Sequence, residues 1–137
     1  MTRSSACDLV IVGGGPCGLA TAISAQRAGL SVQVLESRVI CSTIEHYPTY
    51  ATFFSTAEKL SIGDVPFVLA SDKPTRRDAL AYYRSVTRHF GIPVRQYERA
   101  TRVEGQAPDF VVRSLTSAGE ERATRTKTVV VATGYFG

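Results

Sequence analysis

Apolar residues along this chain fall into short continuous runs, one clear helical spacing and stretches of alternation. Asp8 to Val12 ends in an apolar run rich in β-branched residues, which suits a strand buried on both faces of a parallel sheet. A glycine cluster follows at once. From Pro16 to Ala28 the residues favour helix, with Leu19, Ala20, Ile23 and Ala28 available to face a sheet and Gly29 placed as a left-handed stop. Ser31 to Leu35 then alternates into a second strand closed by Glu36. Together these form a β-α-β unit, the smallest piece of a doubly wound α/β fold.

Between residues 37 and 74 the pattern fades: the stretch is polar and aromatic, broken by Pro48, Gly63, Pro66 and Pro74. A loop this long inside a compact domain either has a function or hides short elements. At Thr75 the signal returns. Thr75-x-x-Asp78 resembles a capping box, Leu80, Tyr83, Val86 and Phe90 recur on one helical face, and Gly91 with Pro93 ends the helix. Val94 to Tyr97 reads as a third parallel strand. Thr101 to Val103, Phe110 to Leu115 and Glu121 to Thr126 read as a small antiparallel meander turning near Ser117 to Gly119. Thr128 to Ala132 is a further apolar strand running into Thr133-Gly134. No repeat or interdomain linker interrupts the 137 residues, a length that suits one domain.

Composition narrows the partners. With 44% hydrophobic and 20% charged residues the chain is ordinary globular protein, and its net charge of +4 comes mostly from arginines spread thinly between Arg76 and Arg125. That spread lacks the clustered, aromatic-interleaved stripe of a nucleic-acid surface, so no nucleic-acid partner is expected. The N-terminus has no apolar signal segment and no apolar run reaches the ~20 residues that span a bilayer, so a cytoplasmic protein with no membrane partner is expected. Cys7, Cys17 and Cys41 form no CxxC pair, which suggests neither a disulfide framework nor a metal site.

The chemistry begins at Gly13-x-Gly15-x-x-Gly18. A dinucleotide's pyrophosphate binds where a helix begins, because first-turn N–H groups are free and the helix dipole favours negative charge there. Gly13 permits the tight turn, Gly15 lets the backbone approach the phosphates, and Gly18 lets helix and strand pack closely. Glu36, at the end of the next strand, is placed to accept hydrogen bonds from a ribose diol and would repel a 2′-phosphate. The motif therefore leaves NAD and the adenosine half of FAD both open.

Two further stretches carry a family resemblance. Val129-Val-Val-Ala-Thr133-Gly134 looks like the Ala-Thr-Gly segment that flavoprotein disulfide reductases place against FAD. His46-Tyr-Pro-Thr-Tyr-Ala-Thr-Phe-Phe-Ser through Gly63-Asp-Val-Pro-Phe67, with Lys73-Pro-Thr-Arg, Tyr82-Tyr-Arg and the Gly-Gly-Gly-Pro-Cys-Gly loop, resembles the YpdA-type family of thioredoxin-reductase-like flavoproteins. That family is described as bacillithiol-disulfide reductases that use FAD and NADPH.

The resemblance implies a Rossmann-like FAD-binding domain with a parallel sheet and a small β-meander. FAD pyrophosphate would lie at Gly13, Gly15, Pro16, Cys17 and Gly18, the ribose at Glu36, and a later contact at Thr133 and Gly134. It also implies that residues 1–137 are the N-terminal part of that domain. The inserted NADPH domain and the C-terminal return segment of a complete member are missing, so NADPH-driven turnover is not expected of these residues alone. The implied partner is a low-molecular-weight thiol disulfide; a homo-oligomer is left open. A flavin monooxygenase, or a module that binds FAD or NAD without turnover, shares the first motif and stands as the alternative.

Cys17 is the candidate catalytic residue. Free N–H groups and the dipole at the helix start favour a nucleophilic sulfur, while pyrophosphate charge opposes it, so a redox thiol and a small buried turn-filler are both open readings. Cys41 reads as an unreactive loop thiol. His46 reads as a loop histidine with an ordinary hydrogen bond, with a proton-donor role beside the flavin or substrate as the sharper reading. Arg76, Arg77, Arg84 and Arg88 read as a solvated helix face.

Overall fold

The computed structural model describes residues 3–71 and 73–134, with the backbone alone for residues 3 and 4. In chain order the elements are β1 (Arg3–Val12), α1 (Pro16–Arg27), β2 (Val32–Leu35), α2 (Ser42–Glu45), α3 (Ala57–Leu60), α4 (Arg76–Phe90), β3 (Val94–Arg95), β4 (Glu98–Gln106), β5 (Asp109–Thr116) and β6 (Glu121–Val131). The strands form one sheet in the order β3-β2-β1-β6-β5-β4. β1 pairs in parallel with β2 and β6, β2 with β3, while β4, β5 and β6 make the antiparallel meander.

Alternation along β1 divides the core. Leu9 and Ile11 point to the face covered by α1 and α4, where they meet Leu19, Ala22, Ile23, Leu80, Tyr83 and Val86. Val10 points to the other face and packs with Leu35 and Val112, flanked by Val12, Ala100 and Val129. The second face is therefore covered by the meander, and the unit has three layers. Burial on both faces explains why the run at Leu9 to Val12 carries no polar residue.

Several boundaries differ from the sequence reading for identifiable reasons. On α1, Leu19 and Ile23 are buried as expected, but Ala28 is the exposed C-cap and Ala22 and Ala25 take the inner positions. The third parallel strand is only Val94–Arg95, because Tyr97 turns left-handed (φ +57°) and redirects the chain into β4. The stretches at Glu121 and Thr128 are one strand: the first part of β6 pairs with β5, and β6 pairs with β1 from Arg122 to Val131. That second pairing also draws β1 upstream to Arg3.

The faint region after Glu36 holds two four-residue helices, fastened by side chains of α4. Tyr82 Oη donates to Val65 O at 2.7 Å and accepts from Ile62 N–H at 2.9 Å, and Tyr83 Oη donates to Leu60 O at 2.7 Å. The Thr75 and Asp78 capping box is formed, and Gly91 closes α4 in the left-handed conformation. Arg76 donates twice to Glu45 O and Arg84 pairs with the Glu45 carboxylate at 3.3 Å, so these two arginines anchor α2, while Arg77 and Arg88 are exposed. Among the described residues no helix is long and apolar enough to cross a membrane.

Candidate functional site

The C-terminal ends of β1, β2 and β6 open into a cleft of about 1160 Å³ bounded by Gly13, Gly15, Cys17, Glu36, Arg38 and Ala132, among others. This is where an open parallel sheet binds ligands, outside the carboxyl ends of its strands. Its volume exceeds the ~300–1,000 Å³ typical of drug-sized ligand pockets, which suits an extended molecule such as a dinucleotide.

The three glycines of the turn differ in what fills the space beside them. Gly13 has φ +116°, and a Cβ there would run into the carbonyl of Ala132. A Cβ on Gly18 would strike the carbonyl of Gly13. Gly15 is the opposite case: a Cβ would meet no protein atom within 4 Å, so this glycine keeps open space on the cleft side. It is also the N-cap of α1. No side chain caps that helix, Pro16 occupies the first turn, and the first turn carries no acid, so its positive end is left for an anionic ligand.

Glu36 is buried, with both carboxylate oxygens engaged by backbone donors. Oε1 accepts from Gly14 N–H at 2.8 Å and Oε2 from Arg38 N–H at 2.8 Å. Each oxygen keeps a further lone pair, so the same carboxylate can brace the turn and accept from a hydroxyl in the cleft. Gly14 is held on its other side too, its carbonyl accepting from Cys41 N–H at 3.0 Å.

The three cysteines occupy different environments. Cys17 is exposed on the cleft wall, which removes the reading of it as a buried turn-filler. Cys41 is buried, with a left-handed backbone (φ +56°) at the N-cap of α2; burial first, and then the charge of Glu36, push its thiol up to about 12. It is a protonated, unreactive thiol at neutral pH. Burial also raises the thiol of the half-buried Cys7.

His46 follows α2. Its Nδ1 lies 2.7 Å from Ser42 O and its Nε2 lies 3.2 Å from Arg38 Nη1, contacts satisfied together when Nδ1–H donates and Nε2 accepts. Thr133 and Gly134 border the same cleft at the end of β6. Every residue expected at the site therefore borders this cleft, apart from Gly18, which is buried behind it. Arg38 and Arg99 border it as well and were not singled out by sequence reasoning. Arg38, two positions past the acidic strand end, had a readable signal; Arg99, carried in by the meander, had none.

A glycine turn at an uncapped helix, beside a buried acid at the next strand's end, defines a dinucleotide-binding α/β protein. Residues 10–137 match the family model of the pyridine nucleotide-disulphide oxidoreductases, and the chain belongs to that family. Membership implies a flavin cofactor. More particularly, the chain is similar to the bacilliredoxin reductase Bdr of Bacillus subtilis (strain 168), 48% identical over 79 residues, which are 58% of this chain and 24% of that protein. It also superimposes on two solved bacillithiol disulfide reductases Bdr (YpdA). The one from Bacillus cereus is 44% identical with a TM-score of 0.93, over 96% of this chain and 41% of that one. The one from Staphylococcus aureus is 37% identical with a TM-score of 0.89, over 97% and 40%. The chain thus spans well under half the length of these relatives.

Proposed function

We propose that residues 1–137 are the N-terminal part of the FAD-binding domain of an NAD(P)H-dependent flavoprotein that reduces a low-molecular-weight thiol disulfide of the bacillithiol type. The observation that carries the reading is the meeting, on one cleft, of the space beside Gly15, the uncapped start of α1, the carboxylate of Glu36 and the exposed thiol of Cys17. The names of the two superimposed reductases point to the same substrate class.

In this reading Gly13, Gly15, Pro16, Cys17 and Gly18 form the pyrophosphate seat, Glu36 accepts from the ribose, and Thr133 with Gly134 closes the far side. FAD held there supplies the relay of two electrons from NADPH. Cys17, in its thiolate form, attacks one sulfur of the substrate disulfide and displaces the other half as a thiolate, which takes a proton from water, leaving a mixed disulfide on the Cys17 sulfur. Two electrons and the required proton then return Cys17 and free the second thiol. Buried Cys41 takes no part.

The test is NADPH oxidation by the intact protein with bacillithiol disulfide, for the parent and for Cys17→Ser at matched flavin content. Disulfide-dependent turnover that Cys17→Ser abolishes is the expected result. Turnover unchanged in Cys17→Ser removes the thiol role. Oxygen-dependent NADPH consumption with an organic substrate would indicate a monooxygenase, and stable flavin without disulfide reduction a binding module.

A further inference from the structure

Arg38 is an exposed cation on the cleft wall with no carboxylate at ion-pair distance among the described residues. Its backbone N–H donates to Glu36 Oε2 at 2.8 Å, so its side chain leaves the main chain beside the carboxylate. Its guanidinium is held by Nη1 at 3.2 Å from His46 Nε2, and that ring is fixed in turn by Nδ1 at 2.7 Å from Ser42 O. An exposed arginine ordinarily spends side-chain freedom to hold one direction. Here a second side chain bordering the same cleft sets that direction.

From this the geometry points to Arg38 as the group that seats the adenine of the dinucleotide, its guanidinium plane against the base, with His46 as the positioning residue that aims it. The inference rests on the dinucleotide reading above and extends it to the choice of ligand. Glu36 marks the ribose position, and the base attached to that ribose lies within reach of the residue two positions on. A planar, weakly hydrated guanidinium stacks on an aromatic face in a way an ammonium does not. An arginine near this point can instead hold a 2′-phosphate, but Glu36, buried and fixed by two backbone donors, places negative charge where that phosphate would sit. The backbone donor of Arg38 survives replacement by alanine or lysine, so these variants leave the hold on Glu36 intact.

The experiment uses the intact protein freed of flavin and titrated with FAD, ADP, 2′-phospho-ADP and FMN. ADP carries the adenosine without the flavin, and FMN the flavin without the adenosine. Arg38→Ala is expected to weaken FAD and ADP roughly five- to thirtyfold while leaving FMN unchanged. Arg38→Lys should fall near the alanine variant. His46→Ala should give a smaller loss in the same two ligands and none on top of Arg38→Ala. A misfolded variant would lose FMN as well, and a purely structural His46 would add its loss in the double variant. Unchanged ADP affinity in Arg38→Ala, full activity of Arg38→Lys in binding, or 2′-phospho-ADP bound more tightly than ADP would overturn the assignment. A parent protein that binds ADP but not FAD would overturn the flavin reading and leave the role of Arg38 standing.

Discussion

Glu36 Oε1 accepts a 2.8 Å hydrogen bond from the backbone N–H of Gly14, so the acid that ends β2 also holds the turn that follows β1. Because Oε2 takes the N–H of Arg38, removing the carboxylate strands two backbone donors, one buried and one part-buried. Glu36→Ala is expected to destabilise the ligand-free protein by about 1–3 kcal/mol, with Glu36→Gln in between because it keeps an acceptor. Thermal melts of the ligand-free variants check this. A role confined to the ribose would leave both melts at the parent value.

The glycines separate folding from binding. Gly15→Ala puts a methyl into open space at a backbone conformation (φ −86°) that alanine accepts, so the fold should persist while flavin is lost. Gly13→Ala and Gly18→Ala drive a Cβ into backbone carbonyls and should lower soluble yield and melting temperature. Circular dichroism with flavin content per chain distinguishes the two outcomes.

The thiols should differ in reactivity. In flavin-free protein at neutral pH, Cys17 is expected to be alkylated first, and Cys41 at a rate slower by roughly tenfold or more, since it is buried and its thiol sits near 12. Peptide mapping after timed alkylation reads this directly. Rapid native labelling of Cys41 would contradict the packing described around α2.

Much of this arrangement was legible because it rests on local rules. The run before Gly13, the spacing of the glycines, the acid at 36 and the capping box at Thr75 each report a neighbourhood of a few residues. What escaped depends on partners far along the chain. α2 and α3 are short helices held by Arg76, Arg84 and Tyr83, with Tyr82 fixing the loop after α3, and these bonds go mostly to backbone carbonyls that carry no sequence signature. The continuity of β6 through Lys127 follows from having two partners, β5 for its first part and β1 along most of its length. At Glu36 the ribose role was readable from position, whereas its hold on Gly14 needed the three-dimensional turn.

Glu98 shows the same kind of long-range dependence. Buried at the start of β4, it accepts from Ser114 Oγ at 2.6 Å and pairs with Arg122 at 2.8 Å and Arg95 at 3.3 Å, tying the parallel strands to the meander. Glu98→Ala removes the acid shared by two partly buried arginines, leaving Arg122 only Glu120 at 3.6 Å, and should cost about 3 kcal/mol, near the low end for broken buried pairs because both arginines reach solvent. Chemical denaturation of the variant measures it.

Acid should loosen the joint between β1 and the residue before β2. The Ser31 backbone N–H, then its hydroxyl and Lys127, hold the Asp8 carboxyl below its ordinary value. A lowered folded pKa contributes stability that is present above the ordinary carboxylate range and lost as pH falls through the folded value. Asp8→Asn should therefore flatten the melting-temperature profile between about pH 5 and pH 2. A variant profile parallel to the parent's would remove Asp8 from the acid transition.

The central claim is that the cleft at Gly15 and Glu36 holds FAD. Its most direct test is the visible absorbance of the intact purified protein, with identification of the nucleotide released on denaturation. A flavin spectrum and one FAD per chain, lost in Gly15→Ala, is the predicted result. A folded, colourless protein that releases NAD would contradict it.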